Sequence, residues 1–364
     1  MSYFLKAGKL NIVFGGQAGS ESKGKFSGYI VDKEKPDIIC MTSSPNAGHT
    51  VITPGGDKKV TYNLPVGAVF GDAQIFLGPA SVINIETLKK EICLTGIDPG
   101  RITIDPRASI ISDNHIEQEK SGCLSDIGST LQGVGECRVS KMNRKGYPHH
   151  MLVSDTKTSV LATGVNISNE PISIVINKYL NKSKTILAEG TQGFDLDLEH
   201  GIDPIYCTSK MINPSMIAAE LGVSPKMVGE IISVVRPYPI RVNNRTGTSG
   251  PYSGSVEISW DTIRNRCGCP HALDEITTTT KLRRRVFEFS EERYQHMVSV
   301  CRPTAVCLQF ANYLDWSANG VRTYDELTKP VIDFVDRLNT LSGGKIVRWV
   351  GTGAGHLDMI NIDN

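Results

Sequence analysis

Eight short apolar, β-branched runs, "LNIVFG", "DIICMT", "AQIFLG", "RITID", "TILAEG", "EIISVV", "AVCLQF" and "KIVRWVG", recur between stretches that read as helices. Runs of this length with few alternating polar positions suit strands buried on both faces, which requires a largely parallel sheet covered by helices. The expected class is α/β. Between Arg236 and Arg285 the pattern gives way to Pro, Gly, Asn and Thr in "RPYPIRVNNRTGTSGPYSGS" and then to a Thr- and Arg-rich segment. Long irregular segments inside compact domains are either disordered or functional lids. With no internal repeat and no low-complexity linker, one domain over residues 1–364 with long functional loops is the simplest organisation.

The first run leads into "GGQAGSESKGKFSG", Gly15 to Gly28. Gly15, Gly16 and Gly19 allow tight turns, and the residues after Lys25 can open a helix. Backbone N–H groups at a helix N-terminus with a lysine ammonium beside them make an anion site. The spacing from Gly19 to Gly24-Lys25 matches a nucleotide phosphate loop, but Phe26 stands where that motif needs a hydroxyl. A glycine-rich turn with solvated lysines is the alternative. A second segment, "SSPNAGHT", follows the run "DIICMT" and so lies at the carboxyl end of a strand, where open α/β sheets bind ligands. There His49 can act as general acid or stabilise a transferred phosphoryl group.

Charge excludes one class of partner. With 39 Lys+Arg against 38 Asp+Glu the formal net charge is +1, so no overall cationic field draws the chain to nucleic acid or anionic lipid. Any anionic ligand is small and locally held. Nine scattered cysteines argue against a disulfide framework. No stretch approaches the roughly 20 apolar residues of a membrane span, and Lys6 and Lys9 interrupt any signal-like core. A cytoplasmic protein is expected.

Taken together, the two loop segments resemble the adenylosuccinate synthetase family, which carries G-x-Q-W-G-D-E-G-K-G-K followed by N-N-A-G-H-T. The resemblance continues through "NLPVG", "IGSTLQGVG", "EGTQGFDLDLEHG" and the C-terminal "VGTGAGHLDMI", in the family's order and over nearly the whole chain. It implies a ligase that joins L-aspartate to the 6-position of a purine monophosphate. A nucleoside triphosphate first phosphorylates the 6-oxygen, and the amine then displaces that phosphate. The catalytic positions of the family fall on Ser20, Lys23 and His49. Triphosphate binding falls on Gly19, Glu21, Ser22, Lys23, Gly24, Lys25, Gly48, His49, Thr50, Asn312 and Gly353. Monophosphate binding falls on Ser20, Asn46, Thr130, Gln192 and Thr208, with Arg144 reaching across a homodimer interface. The segment "EITTTTKLRRRV" resembles the aspartate loop and assigns Thr278, Thr279, Thr280 and Arg284 to aspartate. Mg²⁺ is implied at Ser20 and the Gly48 carbonyl.

Two departures from the family decide the expected substrates. Ser20 replaces the family's catalytic Asp, which is both the base at purine N1 and a magnesium ligand. A hydroxyl is smaller and can donate or accept, so room opens beside C2 for the 2-amino group of guanine. This pattern is similar to the phage-encoded branch that acts on dGMP to make 2-aminoadenylosuccinate for diaminopurine DNA, in the host cytoplasm. Second, the family selects guanine in its donor with T-K-x-D, whereas here the carboxylate becomes Asn312 in "QFAN". An amide can pair with adenine, and Phe310 can lie against a purine face, so ATP or dATP is the expected co-substrate. Leu282 stands where the family has an arginine near the ribose, which fits a deoxyribose. An ordinary synthetase acting on inosine monophosphate and a non-catalytic nucleotide-binding relative remain the alternatives. "CGCPH", Cys267 to His271, is too tightly spaced for a usual zinc knuckle.

Overall fold

All eight apolar runs are strands of one sheet. The computed structural model describes residues 4–244, 248–278 and 280–363. In spatial order the sheet runs Asn166–Ile167, Ile102–Ile104, Gln74–Leu77, Ile38–Met41, Ile186–Gly193, Leu10–Gly15, Val228–Val235, Ala305–Leu308, Val347–Gly351 and Met359–Asn361. Every neighbouring pair is parallel except the last, where Met359–Asn361 runs antiparallel to Val347–Gly351. The two edge strands escaped the sequence reading because they are only two and three residues long.

Side chains alternate between two cores along each central strand. Leu10, Ile12 and Phe14 face a core completed by the helices Ile172–Asn181, Glu291–Cys301 and Lys329–Ser342. Val13, Ile39 and Met41 face the opposite one, with Phe26, Ile30 and Val31 of the helix Lys23–Glu34. Phe26, the residue that breaks the phosphate-loop hydroxyl position, is fully buried with its ring centroid 5.0 Å from that of Trp349. It is a packing residue.

The described part of 236–285 carries more regular structure than its composition suggests. It folds into a small antiparallel sheet of Ile240–Arg241, Arg285–Phe287 and Glu257–Ile258, closed by Tyr238, Trp260, Ile263 and Val286. Its strands pair across more than 25 residues, so no local pattern announces them. Among the described residues no helix is long and apolar enough to cross a membrane.

Candidate active site

The carboxyl ends of the central strands open onto a cavity of about 570 Å³. The phosphate loop forms one wall. Gly19, Ser20 and Ser22 all have positive φ, 88°, 58° and 66°, so the chain coils tightly before the helix starts at Lys23, ahead of the start after Lys25 that the sequence suggests. Such successive turns point amides at one concavity. Gly19, Ser20, Ser22, Lys23 and Gly24 line it. Glu21 lies beneath, fully buried, accepting from the Gly19 amide at 2.7 Å and the Gln17 amide at 3.2 Å. Its second oxygen holds the Lys23 ammonium at 2.7 Å. Glu21 shapes the loop and places the lysine.

This close packing leaves no room for side chains opposite the loop. A Cβ on Gly193 would lie 2.1 Å from the Gln17 carbonyl oxygen, 2.6 Å from Glu21 Oε1 and 2.8 Å from the Gly19 amide. Gly193→Ala is therefore expected to cost about 1–3 kcal/mol of stability and to weaken triphosphate binding by displacing the loop amides. Urea unfolding and a nucleotide titration check the two effects separately.

The second wall carries the histidine. His49 opens the hairpin strand His49–Ile52 and is 7 % exposed. Its Nδ1 lies 2.7 Å from Glu189 Oε1. Glu189 also accepts from Ser27 Oγ at 2.6 Å and from the Val66 and Gly67 amides at 3.2 and 3.1 Å. Donors converging on both oxygens are what a carboxylate satisfies, so Nδ1 carries the hydrogen and Nε2 is the nitrogen available to a ligand. The sequence reading included Glu189 in a motif without giving it a role, because its partner lies 140 residues away.

Asn46, Gly48 and Thr50 line the same cavity beside His49, and Thr130, Gln192 and Thr208 line it from three further loops. Gln192 holds φ 60°, so this strand end turns sharply out of the sheet. Thr278, Thr280 and Arg284 complete the wall; Thr279 lies outside the described residues. Leu282 does not line the cavity; its amide and carbonyl close the loop against Thr277 at 2.9 Å each.

Arg236 and Glu275 were not anticipated. Arg236 is fully buried at the end of the strand Val228–Val235, donates to the Ser20 carbonyl at 3.1 Å and lies with its guanidinium carbon 4.0 Å from the centroid of Phe310. It pairs with Glu275 at 2.5 Å, and Arg284 pairs with the same carboxylate at 2.6 Å. Arg284 Nε and Arg236 Nε are buried and have no partner, and of the two residues Arg284 lines the cavity. Burial alone would raise the Glu275 carboxyl, but the guanidinium of Arg236, then that of Arg284, holds it down at about 2. The stabilisation from this pairing is present above the ordinary 4.5 and is lost as pH falls toward 2. Glu275→Gln is expected to cost about 3–5 kcal/mol at neutral pH, since it leaves two guanidiniums without their anion. Chemical unfolding at pH 7 and pH 3 measures it, the difference from wild type narrowing at the lower pH.

Besides Glu21, four expected residues sit away from the cavity lining. Lys25 donates to the carbonyls of Gly353 at 2.7 Å and Asp358 at 2.8 Å, and burial pushes its ammonium down to about 8. It ties the phosphate-loop helix to the C-terminal loop. Asn312 is buried and donates to Asn319 Oδ1 at 3.1 Å. Asn312 and Gly353 follow the adjacent strands Ala305–Leu308 and Val347–Gly351 at the same sheet edge. Arg144 is exposed.

The adenylosuccinate synthetase family model matches residues 12–170 and 156–317. This chain belongs to that family. An N6-succino-2-amino-2'-deoxyadenylate synthase of Acinetobacter phage SH-Ab 15497 is 33 % identical over 337 residues, covering 84 % of this chain and 84 % of the relative. The adenylosuccinate synthetase of Methanocaldococcus jannaschii is 30 % identical, with 91 % of each covered. Among solved structures, the Cyanophage S-2L succinoaminodeoxyadenylate synthetase, bound to dGMP and to dATP as an energy donor, superposes with a TM-score of 0.82 at 29 % identity, over 97 % of this chain and 95 % of that one.

Proposed function

We propose that this chain is an ATP- or dATP-dependent ligase that joins L-aspartate to C6 of dGMP, giving 2-amino-2'-deoxy-N6-succinyladenylate, ADP or dADP, and phosphate. The observation that carries this reading is Ser20, which lines the cavity at the position of the family's catalytic aspartate. The carboxylates that line the described cavity are both engaged: Glu119 accepts from the Gly133 and Gly135 amides, and Glu275 is held by two arginines. A purine with a 2-amino group therefore meets a hydroxyl. The likeness to phage enzymes of that name, one of them bound to dGMP and dATP, supports the same substrates.

The reaction follows from the walls of the cleft. The phosphate-loop amides and Lys23 hold the triphosphate, while Asn46, Thr130, Gln192 and Thr208 hold the monophosphate. As the γ-phosphoryl group moves to the 6-oxygen, N1 loses its proton, which Ser20 relays to water. His49, held through Nδ1 by Glu189 and carrying a second proton on Nε2, donates from Nε2 to the oxygen that gains charge. Thr278, Thr280 and the unpartnered Nε of Arg284 hold the aspartate carboxylates. Its amine attacks C6, the C6–O bond breaks, phosphate departs and the amine loses a proton.

Magnesium fits this donor set. Ser20 and the Gly48 carbonyl, neutral oxygen donors in the same cleft as Lys23, would hold the ion beside the triphosphate. When bound it neutralises charge on the transferring group. A homodimer places Arg144 toward its partner's monophosphate; the exposed Met142 and Tyr147 beside it support a covered face there.

The test is isotopic. With dGMP carrying ¹⁸O at the 6-position, each phosphate released contains one heavy oxygen if the 6-oxygen is phosphorylated before the amine attacks. Unlabelled phosphate accompanying the succinylated product overturns the mechanism, and absence of that product overturns the substrate.

A further inference from the structure

A second cluster of chemistry-bearing side chains lies outside the machinery just described. His115 on the helix Asp113–Ser121, Cys137 on the helix Val134–Met142 and His150 before the strand Met151–Leu152 each offer one ligand atom, all within 4.8 Å of one another. Their side chains are 1 %, 0 % and 5 % exposed. His115 Nε2 and His150 Nδ1 are buried with no hydrogen-bond partner. An orphaned imidazole nitrogen costs free energy comparable to a lost hydrogen bond, and this fold carries two side by side with a thiol.

We propose that His115, Cys137 and His150 form a structural site for a zinc-class divalent cation. Imidazole nitrogen and thiolate sulfur are donor types that zinc takes, and with three of them from the protein a water would complete the tetrahedron. The opposite ring nitrogens each face a serine hydroxyl that can serve as an outer partner to a metal-bound histidine: His115 Nδ1 lies 3.1 Å from Ser112 Oγ and His150 Nε2 3.3 Å from Ser109 Oγ. His115 Nδ1 also accepts from the Ser112 amide at 3.2 Å. Loading at Nε2 moves the ring proton to Nδ1, which exchanges the bond it accepts from the Ser112 amide for one it donates to Ser112 Oγ. Tetrahedral zinc holds its ligand atoms roughly 3.3–3.8 Å apart, so the cluster contracts by about an ångström on binding. The cation displaces the Cys137 thiol proton on binding.

The site staples two helices whose connecting loop carries Thr130. Its consequence is a better-ordered monophosphate cradle. The three ligands are spread over 36 positions in the chain, with none of the close Cys/His pairs that mark a zinc site in sequence.

The test uses the intact protein loaded with zinc or with cobalt(II) and then desalted. The expected result is about one zinc per chain, a thiolate-to-cobalt charge-transfer band, and a thermal midpoint that falls by several degrees on chelation and returns with zinc. Cys137→Ser is expected to remove the band while far-UV circular dichroism stays native; should that variant not fold, Cys137→Ala serves instead. Failure to retain zinc with no cobalt band overturns the proposal. So does a band that survives both substitutions, which would place the metal on other cysteines such as Cys267 and Cys269.

Discussion

Ser20→Asp is expected to lower kcat/KM for dGMP by roughly 10–200-fold, the range in which a pocket discriminates by a group the size of a methylene. The backbone there tolerates the change. Ser20 sits at φ 58°, a left-handed conformation that aspartate adopts more readily than most residues, so the loop should keep its shape. Crowding at the purine 2-position then accounts for the loss, and the new carboxylate can take the N1 proton of a purine that lacks a 2-amino group. The same variant should therefore gain on inosine monophosphate while losing on dGMP. Ser20→Ala provides the control: it keeps the space and loses only the hydroxyl, so base preference stays with dGMP. Steady-state kinetics on both monophosphates with all three proteins separate space from charge. A loss on both substrates in Ser20→Asp would mean that the loop, rather than the base pocket, had been damaged.

His49→Ala should have the larger effect on rate. Removing a positioned acid typically costs 10²–10⁴-fold in kcat, and KM for dGMP should move far less, because the contribution is made as charge develops on the transferred oxygen. Glu189→Gln tests the orientation. Its carboxylate is met by four donors, from His49, Ser27, Val66 and Gly67. An amide would turn N–H groups toward some of them, tilting the ring without removing it. A smaller fall in kcat than for His49→Ala is expected, with binding of triphosphate unchanged. Equal losses in KM and kcat for both variants would instead make the pair a structural tie between the hairpin and the sheet.

The parts of this molecule that were legible in sequence are those written locally. "LNIVFG" is a strand over Leu10–Gly15 with every residue buried, because a doubly covered strand needs an unbroken apolar run. The phosphate loop was legible because glycines and lysines at fixed offsets are a backbone requirement. Ser20, His49, Thr130, Gln192 and Arg284 are brought to one cleft, and order along the chain foretold it. What could not be read is non-local. Arg236 meets Glu275 across 39 residues, and neither position differs in type from an ordinary surface charge until the fold buries both. Lys25 illustrates the opposite case: its spacing marks it for phosphate, yet its ammonium is held by two carbonyls of the C-terminal loop.

The central claim is substrate choice, and a competition measures it most directly. The purified protein is given aspartate, Mg²⁺ and either dATP or ATP, with equal concentrations of dGMP and inosine monophosphate, and the succinylated products are resolved by mass. The account predicts the 2-amino-2'-deoxy product in at least about tenfold excess. Product derived mainly from inosine monophosphate would contradict it, showing that the serine at position 20 does not select the base.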